Sequence, residues 1–298
     1  RVCRSYRQQL AVGAEVLLKG TEKIEGENID EIGIDKSLTM FAQSRILLLW
    51  ERKDMDSFAK LLNGMSHALA AGVGDALSHL DLSGSPLDLN TSKILANTLT
   101  GCKNLSHLRL KRDPAEDTGE EEEVQKQGLD LIDSLAGCTN LQLLDLSGHC
   151  LEDLGIERLA GIMPTLTKLT HLDVSCNAIE RHGASSLART LVHCTSLVQL
   201  HLESNDVFKQ GAGAFLPMLQ TCTALTHFCV SWNELDFKGI VQLSPALGGC
   251  KSLKYLDLAK NNIDPSSADV LARGLGSCAS LTFLDLRFNT LLELGMGS

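Results

Sequence analysis

The chain has 298 residues, 44% of them hydrophobic, enough for a large buried core, and a net charge of −10 with a pI near 5.4. That acidity argues against general nucleic-acid binding. No run approaches the roughly 18 apolar residues of a membrane span, and the opening Arg-Val-Cys-Arg lacks the Met and apolar stretch of a secretory leader, as in a piece of something longer.

In chain order, residues 1–76 come first and follow no repeat. Ser57 to Ala71 reads as an amphipathic helix, while Ile29, Ile32 and Ile34 echo a degenerate strand followed by Ser37. This segment is expected to be a helical N-terminal cap, hiding the apolar face of the first repeat, or else the end of a preceding domain.

From Leu77 to the end at residue 298 the chain repeats itself. Leu77, Leu105, Leu141, Leu169, Leu197, Leu225, Leu253 and Leu281 each open the pattern L-x-x-L-x-L, at intervals of 28, 36, 28, 28, 28, 28 and 28 residues. Phe228, Val174 and Val230 are conservative departures. In L-x-L both apolar side chains share one face, as the two-residue period of a strand requires. Eight residues after the opening Leu stand Asn177, Asn205, Asn233, Asn261 and Asn289, a ladder placed to bond backbone groups left over at the turn. The first three repeats have Ser85, Asp113 and His149 there instead.

A Gly follows in several repeats (Gly155, Gly183, Gly211, Gly239), and then apolar residues recur at helical spacing, as in Leu187 and Leu191, Leu243 and Leu247, Leu271 and Leu275. Pro217 and Pro245 share a register, which predicts short or bent helices in their repeats. The long interval contains an acidic insertion at about 113–123, Asp113-Pro-Ala-Glu-Asp-Thr-Gly-Glu-Glu-Glu-Glu123, with the composition of a solvated loop. It reads as a tolerated insertion, or as a docking element for a basic partner. Strands stack about 4.8 Å apart and helices are about 10 Å across, so the predicted fold is an α/β solenoid, a horseshoe with a parallel concave sheet and convex helices.

Cys102, Cys138, Cys194, Cys222, Cys250 and Cys278 occupy one register, with Leu166 standing in for Cys in the fourth repeat. Each is expected as a small buried apolar residue rather than a disulfide partner, which points to a reducing compartment, the cytosol or nucleus. The unit L-x-x-L-x-L-x-x-N-x-I/L-x-x-x-G-x-x-x-L-A-x-x-L-x-x-C, clearest from Leu169 to Cys194, resembles the ribonuclease-inhibitor class of leucine-rich repeat. That class includes the C-terminal sensor regions of NOD-like receptors and the Ran GTPase-activating proteins. The resemblance covers residues 77–298, eight repeats, and implies a fold more firmly than a function.

No P-loop, paired C-x-x-C, H-E-x-x-H or G-x-S-x-G pattern is present, so neither catalysis nor a cofactor is expected. His79, His107, His171 and His227 share one outward register, and Asp81, Asp145, Asp173, Asp257 and Asp285 another two residues on. Separate repeats do not supply the convergent ligands of a metal, so none is expected, and an open sheet offers carboxylates no pocket. The Asp column does make the concave face negative and favours basic partners.

Aromatic residues are few, eight Phe, two Trp and two Tyr, yet Trp232, Tyr255, Phe283 and Phe288 fall on the strand side of the last three repeats with Lys260 and Arg287 among them. These six are the candidate partner-binding residues, since aromatics and Arg dominate binding hot spots. The rings packing on one another or on a further repeat is the competing reading. The function expected is a non-catalytic protein-interaction module, the sensing or scaffolding part of a NOD-like-receptor-type protein. The alternatives are a Ran-type GTPase activator, for which a long acidic C-terminal tail would be expected, and a ciliary or cytoskeletal scaffold. The partner is a protein on the concave face, without nucleic acid or membrane.

Overall fold

The computed structural model describes residues 15–19 and 45–49, a few positions between 59 and 66, and 77–291 apart from 86, 113–120 and 209–211. The chain divides into two compact units, Arg1–Leu146 and Ser147–Ser298. In the first, strands β1 (Glu15–Lys19), β2 (Arg45–Leu49), β3 (His79–Asp81), β4 (His107–Arg109) and β5 (Leu143–Asp145) pair in parallel, in chain order. Helix α1 (Leu89–Leu99) follows β3, and α2 (Glu121–Ser134) follows β4.

In the second unit β6 (His171–Asp173), β7 (Gln199–His201), β8 (His227–Cys229), β9 (Tyr255–Asp257) and β10 (Phe283–Asp285) also pair in parallel and in order. Helix α3 (Glu152–Ile162) precedes β6, and α4 (Arg181–Leu191), α5 (Leu216–Thr221), α6 (Phe237–Leu247) and α7 (Pro265–Leu275) alternate with the strands. Each unit is thus an array of strand, turn and helix with a parallel sheet, the α/β class read from the repeat.

The core is the set of repeat leucines. Leu105, Leu141, Leu169, Leu197 and Leu253 are fully buried, and so are the middle strand residues Leu108, Leu144, Leu172, Leu200 and Leu256. On α4 the buried residues Gly183, Ala184, Leu187, Ala188 and Leu191 form the apolar stripe of a helix that faces one way. Phe228 replaces a strand leucine and meets Phe208 edge-on, and Phe208 in turn touches Phe215 at 5.2 Å between ring centres. Phe208 sits where other repeats place a capping acid, Asp236 or Asp264, and the helix of its repeat is correspondingly the short α5.

Two elements depart from the sequence reading. The segment expected as a helical cap contributes β1 and β2, aligned so that Val16, Ile46 and Leu80 stand in one row. Counting back along that register puts Gly13 and Gln43 where later repeats have the opening Leu, which hid these strands from the pattern. The helix anticipated over Ser57–Ala71 is helical at its described positions Ala59, Leu62, Asn63 and Ser66, whereas Ile29, Ile32, Ile34 and Ser37 lie outside the described residues.

Pro217 does stand at the start of a short helix, but α6 keeps eleven residues with Pro245 inside it. The Pro lies in the last turn, where the lost amide would have bonded Val241, an exposed position open to solvent. Of the acidic insertion, 113–120 lies outside the described residues. Its last three glutamates begin α2, where negative charge suits a helix N-terminus.

The described cysteines are all free thiols. Burial pushes the Cys102, Cys194 and Cys250 thiols up to about 11 and Cys138 up to about 12, so they stay protonated and unreactive at neutral pH. Cys150 and Cys176 are only half-buried. Brief iodoacetamide treatment of the native protein is expected to alkylate these two before any other described cysteine. Peptide mapping that found Cys194 or Cys250 labelled as fast would overturn this assignment.

Candidate functional site

Each strand ends in a turn whose geometry sets the display of the residues around it. In the second unit Cys176, Ser204, Trp232, Lys260 and Phe288 all adopt left-handed backbone, with φ between 54° and 59°. The amide of each of the first four donates to a carbonyl of the next repeat, Trp232 to Ala259 and Lys260 to Arg287 among them. The equivalent positions of earlier repeats hold Gly84 and Gly148, the residues that take this conformation without steric penalty.

One residue later stands the Asn ladder. Asn205 accepts the amides of Asn177 and Ile179 on its Oδ1, and its Nδ2 donates to Val174 of the preceding repeat. Asn261 makes the same bonds to Asn233, Leu235 and Val230, and Asn289 to Asn261, Ile263 and Leu258. Asn233 accepts from Val207 and donates to Leu202 and Ser231. Where His149 replaces Asn, its backbone amide is taken up by Asn177 Oδ1.

Four of the aspartates read as a solvated column have a defined bond. Asp81, Asp173, Asp257 and Asp285 each accept the amide two residues on, from Ser83, Ser175, Ala259 and Arg287, closing an Asx turn at the strand end. The histidine column is half-buried rather than fully solvent-facing, and each ring nitrogen Nδ1 lies 2.7–2.9 Å from the preceding Ser or Thr hydroxyl. His79 and His107 stack at 4.0 Å.

Five of the six candidate partner-binding residues form two ladders rather than a single patch. At the turns, Lys260 Nζ lies 4.1 Å from the Trp232 ring centre and 4.7 Å from that of Phe288, held between two exposed rings. At the strand starts, Tyr255 and Phe283 stack at 4.4 Å with planes 3° apart, and His227 extends the stack to Tyr255 at 5.5 Å. Burial, with Asp257 next, raises the Tyr255 hydroxyl above its ordinary range, so it remains a donor. Arg287 joins neither ladder. It folds back on Asp285, with Nε and Nη2 at 2.6–3.0 Å from the carboxylate, and this bond holds Asp285 below the usual carboxylate range.

A third group, missed by sequence reasoning, lies on the strand side at β7 and β8. His201 Nδ1 is 3.1 Å from Glu203 Oε1, and Ser175 Oγ donates to Glu203 Oε2 at 2.7 Å. Burial raises the Glu203 carboxyl, but the bonds from His201 and Ser175 outweigh it and leave the group below its ordinary value. The buried Cys229 joins them, and donor atoms of His201, Glu203 and Cys229 all lie within 4.8 Å of one another. Burial and the nearby charges of Glu203, Asp257 and Asp173 push its thiol far up. The available signal was register: Cys229 and His201 interrupt the column of aspartates.

Comparison with known proteins supplies the name of the repeat. The family described as Leucine Rich repeat matches at residues 137–160, 165–188 and 249–272, stretches that take in most of α3, α4 and α7. Each of these three stretches is similar to a leucine-rich repeat. The intervening strands β7 and β8 pair in register with β6 and β9. No curated protein matches the chain. Among solved structures, the tropomodulin C-terminal domain of Caenorhabditis elegans is similar at 14% identity and a TM-score of 0.40, over 54% of this chain and 94% of that one. Leucine-rich repeats typically serve as interaction modules. Among the described residues no helix is long and apolar enough to cross a membrane.

Proposed function

We propose that the strand side of the second unit binds a protein partner, with the Trp232–Lys260–Phe288 ladder as its anchor. The observation that carries this is backbone strain. Left-handed conformation costs a non-glycine residue about 1–2 kcal/mol, and a bulky ring there is rare. Trp232 and Phe288 nonetheless hold it, 56% and 71% exposed, where a Gly suffices in earlier repeats. An exposed cation–π contact returns only about 0.5–1 kcal/mol, so folding alone does not account for the rings. Strain held at an exposed position points to use by a ligand.

The Tyr255–Phe283 stack adds a second apolar step on the same strands, with Arg287 as its neighbour at the rim. Asp257 beside it favours basic groups in the partner. The finer reading is the sensor or scaffold part of a NOD-like-receptor-type protein, supported by the ribonuclease-inhibitor-type unit from Leu169 to Cys194. The buried, protonated thiols support a reducing compartment such as the cytosol or nucleus.

The test exploits the turn itself. Trp232→Gly removes the ring while relieving the left-handed strain, so its thermal midpoint is expected to stay near that of the parent. Its affinity for a partner isolated by pull-down is expected to fall at least tenfold, the scale of a true anchor, roughly 2 kcal/mol. Arg189→Ala, on the exposed side of α4, is the matched control and is expected to bind as the parent does. Equal affinities for all three proteins would place the interface elsewhere.

A further inference from the structure

Three separate departures from the repeat meet at one point. In the row read across β6 to β10, Asp173, His201, Cys229, Asp257 and Asp285 are register partners, so His201 and Cys229 are the two positions where the row abandons aspartate. Neither side chain can close the Asx turn that Asp173 and Asp257 close. Glu203 is the third departure, standing where the two adjacent repeats have Ser175 and Ser231. An imidazole, a carboxylate and a thiol replacing the repeat's usual residues at touching positions is the donor set of a borderline-soft cation.

We infer that His201, Glu203 and Cys229 form a binding site for Zn²⁺ on the strand side of the second unit, with the fourth coordination position open to water. The donor atoms lie within 4.8 Å of one another. Around tetrahedral zinc, with bonds of about 2.0–2.3 Å, ligand atoms stand roughly 3.3–3.7 Å apart, so His201 and Glu203, 3.1 Å apart, open slightly while Cys229 adjusts to the same spacing. Small rotations of side chains already in contact achieve that. His201 and Glu203 are 29% and 25% exposed, so the ion reaches the site from solvent without opening the core.

The charge balance also fits. Without a cation, Cys229 is a thiol in a strongly acidic corner, with Asp173 and Asp257 one strand to either side of the His201–Cys229 pair. Zinc binding releases the thiol proton to solvent, and the dication then offsets one thiolate and one carboxylate. Ser175, which donates to Glu203 Oε2, becomes the outer partner that orients the carboxylate.

The experiment uses the reduced, metal-free protein titrated with Zn²⁺ by calorimetry and with Co²⁺ by absorption. One equivalent is expected to bind, and Co²⁺ is expected to give a near-ultraviolet thiolate charge-transfer band. Cys229→Ser should abolish that band, and the flanking row shows that a polar residue is accepted there. His201→Ala and Glu203→Gln are each expected to weaken Zn²⁺ binding by roughly tenfold or more. Cys176→Ser, at a half-buried thiol outside the cluster, should keep both the band and the affinity. Absence of stoichiometric binding in the parent, or a band that survives Cys229→Ser in a protein with parental circular dichroism, overturns the assignment. In that case Glu203 with its hydrogen-bond partners is a structural network only.

Discussion

Asn233→Ala is expected to be the most destabilising of the ladder substitutions, lowering unfolding stability by about 3 kcal/mol. The residue is fully buried, and its carboxamide serves the Val207 amide and the Leu202 and Ser231 carbonyls together. Stranding one buried polar group costs about 1–3 kcal/mol, and here several are stranded at once, though their costs do not simply add. Asn289, half-buried at the last described repeat, is the internal comparison, and Asn289→Ala is expected to cost about 1 kcal/mol. Urea unfolding followed by circular dichroism measures both. If the midpoint of Asn233→Ala coincided with that of the parent, the ladder would not be carrying the turns.

The second large effect runs against helix propensity. Gly274 lies in α7, where alanine should be favoured over glycine by up to about 1 kcal/mol. A Cβ at Gly274, however, would fall 2.5 Å from the Ser244 carbonyl oxygen and 2.6 Å from its Cβ, on the neighbouring helix α6. Those are backbone and near-backbone atoms that cannot swing away, so the helices must separate. Gly274→Ala is therefore expected to destabilise by about 2–3 kcal/mol, the scale of overpacking. Gly161 in α3 has nothing within 4 Å of the same added atom, and Gly161→Ala is expected to stabilise by about 0.5–1 kcal/mol. Thermal unfolding of the pair gives opposite signs, and matching signs would mean that the α6–α7 approach is not tight.

Much of the fold was legible because a two-residue strand period and a constant 28-residue spacing leave little freedom. The strands at Leu80, Leu108, Leu172 and Leu256 follow from that pattern alone. β1 and β2 were not legible, since their register keeps the later apolar positions but has Gly13 and Gln43 at the first. For the candidate site, register predicted which residues share a side of a strand, and it brought Trp232, Lys260 and Phe288 into one column.

It could not predict that Arg287 would turn back on Asp285, because a side chain two residues away competes with any ring for a guanidinium. Nor does periodicity show left-handed backbone at Trp232, which depends on an amide of one repeat reaching a carbonyl of the next. The His201, Glu203 and Cys229 group was visible only as breaks in otherwise regular columns, and such breaks gain meaning once neighbouring strands are aligned.

The bonding of the Asn ladder has a consequence for how such a chain can change length. Asn205 and Asn261 reach across by the same three sequence offsets, 28, 26 and 31 residues. Because the offsets are measured against the neighbour, a whole 28-residue module can be copied or deleted within this stretch and every amide still finds its acceptor. A cut of any other length between a strand and its Asn shifts the phase and orphans the turn. One pairing limits the freedom: Asp153 caps the start of α4 through the Glu180 and His182 amides, and Gly183 leaves room for it, since a Cβ there would meet Asp153 at 2.6 Å. The modules flanking that contact are spliced as a matched couple, whereas those at Asn261 and Asn289 carry the same ladder bonds, so growth by duplication has its natural seam in the last repeats, where the exposed rings are also found.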